Sequence, residues 1–241
     1  MEYATLNNGV KMPMAGIGTF LLTPDEAEAS CVSALRNGYR LIDTANAYVN
    51  EKAVGRAMKK SGLQREEIFL ETKLWPSFYE QPDAVEKTLQ RLDTDYIDLL
   101  LIHQPSGNYI AGYQQMEKAY KAGKVRAIGL SNFNKEQVEE ILSACEVRPT
   151  VLQTELHPYH QEPELKAFLK ENGIVRRHGI RWATAIRRCF RSRCSQSLAR
   201  NTASPHRRSS SAGTSRAVTL SSPAPRIRST SRPTSTCSTL L

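Results

Sequence analysis

The chain has 241 residues, with 33 lysines and arginines against 24 aspartates and glutamates. Residues 1–175 contain all 24 acidic residues and 19 basic ones, a net charge of −5, whereas residues 176–241 contain 14 arginines and no acidic residue. No run of about 18 apolar residues and no basic-then-apolar leader occurs, which argues against a membrane protein and favours a cytoplasmic one. The five cysteines lie at irregular spacing, so neither a disulfide framework nor a zinc site is predicted.

Residues 1–175 alternate short β-rich runs with amphipathic stretches. In chain order the pairs are MAGIGTF with TPDEAEAS, YRLIDTA with NEKAVGRAMKKSG, IFLETKL with DAVEKTLQRL, IDLLLIH with GYQQMEKAYKAGK, VRAIGLSNF with NKEQVEEILSAC, and TVLQTEL with EPELKAFLKENG. Thr23 is predicted to cap the first helix, with Pro24 at its first position. Because the β-rich runs are apolar on both faces, they predict a buried parallel sheet, either doubly wound or closed as a barrel.

Polar side chains follow almost every predicted strand at the point where the strand ends. In chain order they are Asp43, Tyr48, Lys73, His103, Ser131, Asn132, Gln153 and Glu155. A single histidine at a strand end is typical of a packed, hydrogen-bonded group, but five consecutive strands that each deliver such groups indicate a functional site. In a barrel this edge is where the loops converge on the active site.

Three segments carry a resemblance to a known family. GYRLIDTANAYVNEKAVG, from Gly38 to Gly55, resembles the signature of the aldo-keto reductases, and KVRAIGLSNF and VLQTELHPY are similar to two further blocks of that family. The resemblance covers residue 1 to about Val175 and implies a (β/α)8 barrel of which about six of eight βα units are present. It also implies an N-terminal β-hairpin, YATLNNGVKMP, and a monomeric enzyme that binds NADPH and a small carbonyl substrate, with no metal.

The order and spacing of four residues resemble the catalytic tetrad of that family: Asp43, Tyr48, Lys73 and His103. Carbonyl reduction needs a hydride, which no side chain supplies, and a proton, which the phenol of Tyr48 can donate. Lys73 is expected to lower the pKa of Tyr48, and Asp43 is expected to keep Lys73 charged. His103 is expected to donate a hydrogen bond to the carbonyl oxygen. The alternative for Asp43 and Lys73 alone is a buried ion pair without a catalytic role.

By the same resemblance, several residues are predicted to bind the cofactor: Gly18, Thr19, Asp43, Ser131, Asn132 and Gln153. The side chains of Ser131, Asn132 and Gln153 match the donor and acceptor of the nicotinamide carboxamide. Trp75 and His103 are predicted to line the substrate pocket. Trp75 is equally compatible with a position on the rim, where it imposes no substrate preference.

The composition changes abruptly after Val175, into an arginine-, serine- and threonine-rich segment that is predicted to be disordered. RRHGIRWATAIRR is not expected to form a seventh strand, which would leave the first and sixth strands as unpaired edges. The family's aromatic-Pro-Leu-Gly segment and its IPxS motif, which precedes residues that bind the adenosine 2′-phosphate, are both missing from residues 176–241.

The genetic code offers an explanation of this change. Codons for Arg177–Thr184 can be chosen so that dropping two bases gives Ala-Trp-Tyr-Pro-Leu-Gly-His. The same shift lets Arg200–Ala217 encode EKYGKSPPQIVLRWHIQG and lets Ser221–Ser231 encode IPGSKNPEHI. In this shift the first base of each new codon is free, whereas the middle base is dictated by the printed sequence except at arginine, serine and leucine positions, whose codons allow two first bases. We infer a reading frame that slipped near codon 175, in the gene or in its sequencing.

An alternative takes the tail at face value, as an arginine-rich arm that binds nucleic acid and is attached to a non-catalytic barrel. The tail has no lysine or tyrosine and no recognisable nucleic-acid-binding motif. The sequence therefore favours a carbonyl reductase, and nucleic acid is not an expected partner.

Overall fold

The computed structural model describes residues 1–157 and 160–179. The strands are β1 Tyr3–Thr5, β2 Lys11–Pro13, β3 Gly16–Gly18, β4 Leu41–Asp43, β5 Phe69–Leu74, β6 Leu99–Ile102, β7 Ile128–Ser131, β8 Val151–Thr154 and β9 Val175–His178. The α-helices are α1 Pro24–Arg36, α2 Glu51–Ser61, α3 Ala84–Leu92, α4 Tyr109–Lys121, α5 Lys135–Ala144 and α6 Pro163–Glu171. Three short 3₁₀ helices lie at Asn46–Tyr48, Arg65–Glu67 and Pro76–Phe78.

The strands form two sheets in the described part of the chain. β1 and β2 pair as the predicted antiparallel hairpin, and Gly9 in its turn adopts the left-handed φ of +84° that glycine tolerates without strain. β3 to β9 form one parallel sheet in sequential order, and one α-helix occupies each connection. Six strand-helix units followed by a seventh strand are therefore present.

The first helix begins as the sequence predicts. Thr23 is the N-cap of α1, and its hydroxyl accepts a hydrogen bond from the backbone N–H of Glu26. The Glu26 carboxylate in turn accepts from the backbone N–H of Thr23, which completes a capping box, and Pro24 occupies the first helical position. The cap predicted from these residue types is confirmed.

The prediction that residues after Val175 do not form a strand was wrong for the first three of them. β9 pairs parallel with β8 along its whole length, starting with a 3.0 Å hydrogen bond from the N–H of Val175 to the carbonyl of Thr150. The unpaired edges among the described residues are thus the first and seventh strands of the parallel sheet. Arginines fit this strand because Arg176 and Arg177 both reach carboxylates, Glu162 in one case and Asp43 in the other.

Apolar side chains fill two regions on either side of the sheet. Ile42, Leu70 and Leu100 face the helices and belong to the larger core. Leu41, Phe69 and Leu99, their strand neighbours, face the concave side and pack with Leu6 and Met12 of the hairpin segment. Because the hairpin and these apolar residues fill the amino-terminal end of the concave side, the polar side chains are left at the carboxyl end.

The tail that is predicted to be disordered begins at Arg176, and its residues 176–178 form part of β9 instead. Residues 180–241, with most of the segments recovered by the frame shift, lie outside the described residues. Within residues 1–157 and 160–179, none of the helices has the length and apolar character required to cross a bilayer.

Candidate active site

The structure brings the four residues of the predicted tetrad together at the carboxyl end of the parallel sheet. Asp43 is the last residue of β4, Lys73 lies near the end of β5, and His103 directly follows β6. Tyr48 ends the 3₁₀ helix that follows β4. Because β4, β5 and β6 are neighbours in register, their ends deliver these side chains to one place.

Asp43 and Lys73 form a buried ion pair, with side chains only 6% and 2% exposed. The Lys73 ammonium also donates to the carbonyl of Thr44 at 3.0 Å. Burial alone would lower the pKa of Lys73, but the Asp43 carboxylate outweighs it and raises that pKa above its ordinary value. The ammonium therefore stays charged in a nearly dry site.

Tyr48 lies between this ion pair and a group of aromatic rings. The Lys73 nitrogen is 5.3 Å from the centroid of the Tyr48 ring, and the imidazole of His103 meets that ring edge-on at 5.7 Å. Phe20 packs against the same ring at 5.1 Å. Val49, the next residue, is β-branched and adopts a left-handed φ of 60°, a conformation that concentrates at functional sites.

The pKa of Tyr48 is raised, whereas the sequence led us to expect that Lys73 lowers it. Burial raises the pKa of Tyr48, and although the charge of Lys73 lowers it, the net value remains above the ordinary value. The phenol is therefore fully protonated at neutral pH. This protonation state is the one a proton donor requires.

His103 is a neutral imidazole at neutral pH. Burial, reinforced by the charge of Lys73, lowers the pKa of His103 to about 4. Its Nδ1 atom is buried and has no hydrogen-bond partner among the described residues. A neutral imidazole carries one N–H and one acceptor nitrogen, so it can orient a carbonyl group without adding a full positive charge.

The predicted cofactor residues at the ends of β7 and β8 lie side by side. Ser131 and Gln153 are register partners, and Asn132 follows Ser131 in a left-handed conformation with φ of 66°. The amide nitrogen of Asn132 donates to the hydroxyl of Ser131 and to the carbonyl of His103, each at 3.1 Å. The amide nitrogen of Gln153 donates to Asp43 at 2.8 Å. The amide nitrogens of both side chains thus donate to acceptors within the protein, and these bonds do not engage the amide oxygens.

Gly18 and Thr19 lie beside Asp43 at the end of the neighbouring strand. Gly18 is the register partner of Asp43, and the N–H of Thr19 donates to the Asp43 carbonyl at 2.9 Å. The Thr19 hydroxyl is fully buried and donates to the hydroxyl of Thr44 at 2.9 Å. Asn50 holds the same loop by donating to the carbonyl of Thr19 at 2.9 Å. Thr19 therefore anchors the first loop of the site through a hydroxyl that is already bonded.

Trp75 lies on the open side of the site. Its indole is 39% exposed and meets the His103 imidazole edge-on at 5.0 Å. Its backbone N–H donates to the side-chain oxygen of Asn46 at 3.0 Å, which fixes this segment beside Tyr48. The structure thus places Trp75 beside His103 with part of its surface open, a position that is compatible with the wall of the predicted pocket and with its rim.

Sequence reasoning missed three polar residues of this region: Asn50, Glu71 and Arg177. Glu71 is fully buried in β5, and Arg177 of β9 is 1% exposed. Arg177 forms ion pairs with both Glu71 and Asp43. Glu71 could have been found from the alternation of side chains along β5. Residues two apart in a strand share a face, so Glu71 lies on the same concave face as Lys73.

The neutral state of His103 predicts a pH dependence of stability. The unfolded chain binds this proton near the ordinary pKa of 6.5, and the folded protein binds it only near 4. The contribution of His103 to the free energy of unfolding is therefore fully present above pH 6.5. It declines as the pH falls toward 4, by up to about 3 kcal/mol. We expect His103→Gln to flatten the slope of the free energy of unfolding over that range, measured by urea unfolding at several pH values. His160→Gln is the matched control, because the His160 side chain is 45% exposed. Equal slopes in the parent and in His103→Gln would contradict a buried neutral His103.

Comparison with known proteins agrees with this combination of fold and site. The fold and site are those of a parallel-sheet protein with Asp43, Tyr48, Lys73 and His103 gathered at the carboxyl end of the sheet. The model of the Aldo/keto reductase family matches residues 14–176, a range that contains all four. The chain belongs to the aldo/keto reductase family.

Individual relatives agree with the family match. Glyoxal reductase of Bacillus subtilis is 46% identical over 174 residues, which cover 70% of this chain and 63% of the relative. Morphine 6-dehydrogenase of Pseudomonas putida is 43% identical over 176 residues, which cover 70% of this chain and 60% of the relative. The chain spans about 60 to 65% of the length of the curated relatives it matches.

A solved structure supports the same conclusion about the fold. The aldo/keto reductase of Brucella melitensis superposes with a TM-score of 0.84 at 31% identity, covering 93% of this chain and 88% of that chain. The fold is therefore the (β/α)8 barrel with an N-terminal hairpin that the sequence predicts, and the described residues supply most of its strands.

Proposed function

We propose that this protein is an NADPH-dependent carbonyl reductase that converts aldehydes or ketones to alcohols. The observation that carries the proposal is the placement of the Tyr48 phenol between the buried Asp43–Lys73 pair and the neutral imidazole of His103. A protonated phenol beside a cation is a proton donor, and the family membership supplies the class of reaction.

Each residue of the tetrad has a distinct part in this proposal. Tyr48 donates its proton to the substrate oxygen as negative charge develops there. Lys73 stabilises the resulting phenolate, and Asp43 keeps Lys73 charged and oriented. His103 donates a hydrogen bond from its neutral ring and fixes the direction of the carbonyl group.

The residues at the ends of β7 and β8 fit a nicotinamide carboxamide. The amide nitrogens of Asn132 and Gln153 are committed to protein acceptors, so their oxygens can accept from the amide N–H groups of a ligand. We propose that Ser131, Asn132 and Gln153 hold this group, with Gly18, Thr19 and Asp43 forming the neighbouring wall. The bound nicotinamide supplies the hydride.

The proposed substrate is a small carbonyl compound that enters past Trp75, whose indole contacts His103. One relative is named for the reduction of glyoxal, which makes glyoxal a suitable first substrate for an assay. An aromatic aldehyde is a suitable second substrate, because Phe20 and Trp75 present partly exposed rings beside Tyr48 and His103.

We propose further that the activity of the chain as written is impaired because its reading frame slipped near codon 175. The shifted frame recovers both missing family motifs in order, and outside the arginine, serine and leucine positions the middle base of each recovered codon is fixed by the printed sequence. By the family resemblance, the tyrosine of the recovered Tyr-Pro-Leu-Gly segment would stack on the nicotinamide, and the lysine that follows the recovered IPGS would lie near the adenosine 2′-phosphate.

Replacing Lys73 with methionine tests the proposed function. In the protein restored to frame after Val175, we expect the turnover of glyoxal with NADPH to fall by roughly a hundred-fold or more, because the phenolate of Tyr48 loses its cation. The rate of NADPH oxidation in the presence of substrate is the measurement.

Lys59→Met is the matched control, because the Lys59 side chain is 63% exposed and its ion-pair partner is Asp93 on the surface. We expect this variant to keep the parental rate. Turnover by Lys73→Met within about threefold of the control would exclude the proposed role of the Asp43–Lys73 pair.

A further inference from the structure

The concave side of the sheet holds a second ion pair that the proposed chemistry does not use. Glu71 lies in β5, two residues before Lys73, and its side chain is fully buried. Arg177 lies in β9 and is the largest fully buried side chain among the described residues. One guanidinium nitrogen of Arg177 pairs with Glu71, and the other pairs with Oδ2 of Asp43 at 3.2 Å.

The four charged groups in this cluster balance one another. Asp43 and Glu71 are carboxylates, whereas Lys73 and Arg177 are cations, and all four side chains are at most 6% exposed. A buried charge without a partner costs several kcal/mol, and Lys73 alone can balance only one of the two carboxylates. In the chain as written, Arg177 therefore balances the second of these carboxylates.

The hydrogen bonds divide the two oxygens of Asp43 between different partners. Oδ1 accepts from Lys73, whereas Oδ2 accepts from Gln153 at 2.8 Å and from Arg177 at 3.2 Å. Gln153 also donates to Glu71 at 3.3 Å. Arg177 and Gln153 thus bridge the same two carboxylates and fix the rotation of the Asp43 carboxylate.

We propose that Arg177 is a positioning residue of this site, and that its pairing with Glu71 and with Oδ2 of Asp43 keeps Oδ1 directed at Lys73 and Lys73 beside Tyr48. This inference rests on the proposed function only because that function assigns catalytic roles to Tyr48 and Lys73. It concerns the chain as written, because restoring the frame after Val175 replaces Arg177.

A purely structural ion pair makes a different prediction. If Arg177 and Glu71 only balanced each other's charge, removing either one would change the field at Tyr48, whereas removing both would change stability and leave the ionisation of Tyr48 unaltered. Burial raises the pKa of Tyr48, and the charge of Arg177 is among the influences that lower it. The ionisation of Tyr48 therefore distinguishes a positioning role from a structural one.

The experiment replaces Tyr48 in the full-length chain with a fluorinated tyrosine, whose more acidic phenol titrates while the protein is still folded. Fluorine NMR then follows its ionisation in the parent, in Arg177→Gln, in Glu71→Gln and in the double variant. We expect Arg177→Gln to raise the pKa of this phenol by about one unit, because a nearby cation is lost. We expect Glu71→Gln to lower it. The double variant keeps the charge balanced but removes the contact of Arg177 with Oδ2 of Asp43, so we expect its phenol pKa to stay above the parental value.

Arg148→Gln is the matched control, since Arg148 is exposed, and it should leave the titration unchanged. If Arg177→Gln does not fold by circular dichroism, Arg177→Lys and the neutral double variant carry the test, with Arg177→Lys expected to stay within about half a unit of the parent. Unchanged titrations in the folded variants, a double variant that titrates like the parent, or shifts of the same sign in Arg177→Gln and Glu71→Gln would overturn the proposal. The titration needs no turnover, so its failure is distinguishable from failure of the Lys73→Met test.

Discussion

Replacing Tyr48 with phenylalanine is expected to lower carbonyl reduction by roughly 10²- to 10⁴-fold in the protein restored to frame after Val175. The variant keeps the ring that packs against Phe20 and His103 and loses only the hydroxyl that is proposed to donate the proton. NADPH affinity is expected to change by less than about threefold, because the carboxamide is assigned to Ser131, Asn132 and Gln153. Steady-state turnover and a fluorescence titration with NADPH measure the two effects separately.

Tyr3→Phe is the matched control for this substitution. Tyr3 lies in the hairpin at the opposite end of the sheet and is 51% exposed, so its hydroxyl is remote from the site. Turnover by Tyr48→Phe within tenfold of Tyr3→Phe would exclude Tyr48 as the proton donor.

Restoring the reading frame is expected to strengthen NADPH binding by roughly a hundred-fold or more relative to the chain as written. Stacking on the nicotinamide and a charge-assisted contact to the 2′-phosphate are each worth about 1 to 3 kcal/mol, and the restored segments supply both groups. Quenching of tryptophan fluorescence measures the affinity, since Trp75 lies beside His103 in the described site.

The chain as written is also expected to be less soluble than the restored protein. Its parallel sheet ends in the unpaired strands β3 and β9 within the described residues, and open strand edges promote aggregation. Comparable micromolar affinities and comparable solubility of the two proteins would show that the segments recovered by the frame shift are dispensable.

Much of the fold and the candidate tetrad could be predicted because the signals are local. The apolar strands and their short connections indicate a parallel sheet, and such a sheet places the residues that end its strands along one edge. Asp43, Lys73 and His103 follow from that rule alone. Tyr48 lies beyond its strand, in a 3₁₀ helix, so its position marked it as a candidate but its membership of a tetrad required the resemblance of the surrounding signature.

The seventh strand could not be predicted because its arginines resemble those of the tail that follows. An arginine is stable inside the sheet only if carboxylates meet it there, and the partners of Arg177 lie on β4 and β5, more than 100 residues earlier in the chain. Composition does not reveal such long-range pairing. The pKa of Tyr48 escaped prediction for a similar reason, since it depends on how deeply the ring is buried as well as on the charge beside it.

The transfer of deuterium from labelled NADPH to an aldehyde tests the central claim most directly. The protein restored to frame after Val175 is incubated with an aromatic aldehyde and NADPH that carries deuterium at the transferable position, and the alcohol is analysed by mass spectrometry. We predict an alcohol with one deuterium on its carbinol carbon, formed at least about a hundred-fold more slowly by Tyr48→Phe. A protein that binds NADPH in the fluorescence titration but transfers no deuterium above the protein-free background would contradict the proposed carbonyl reductase.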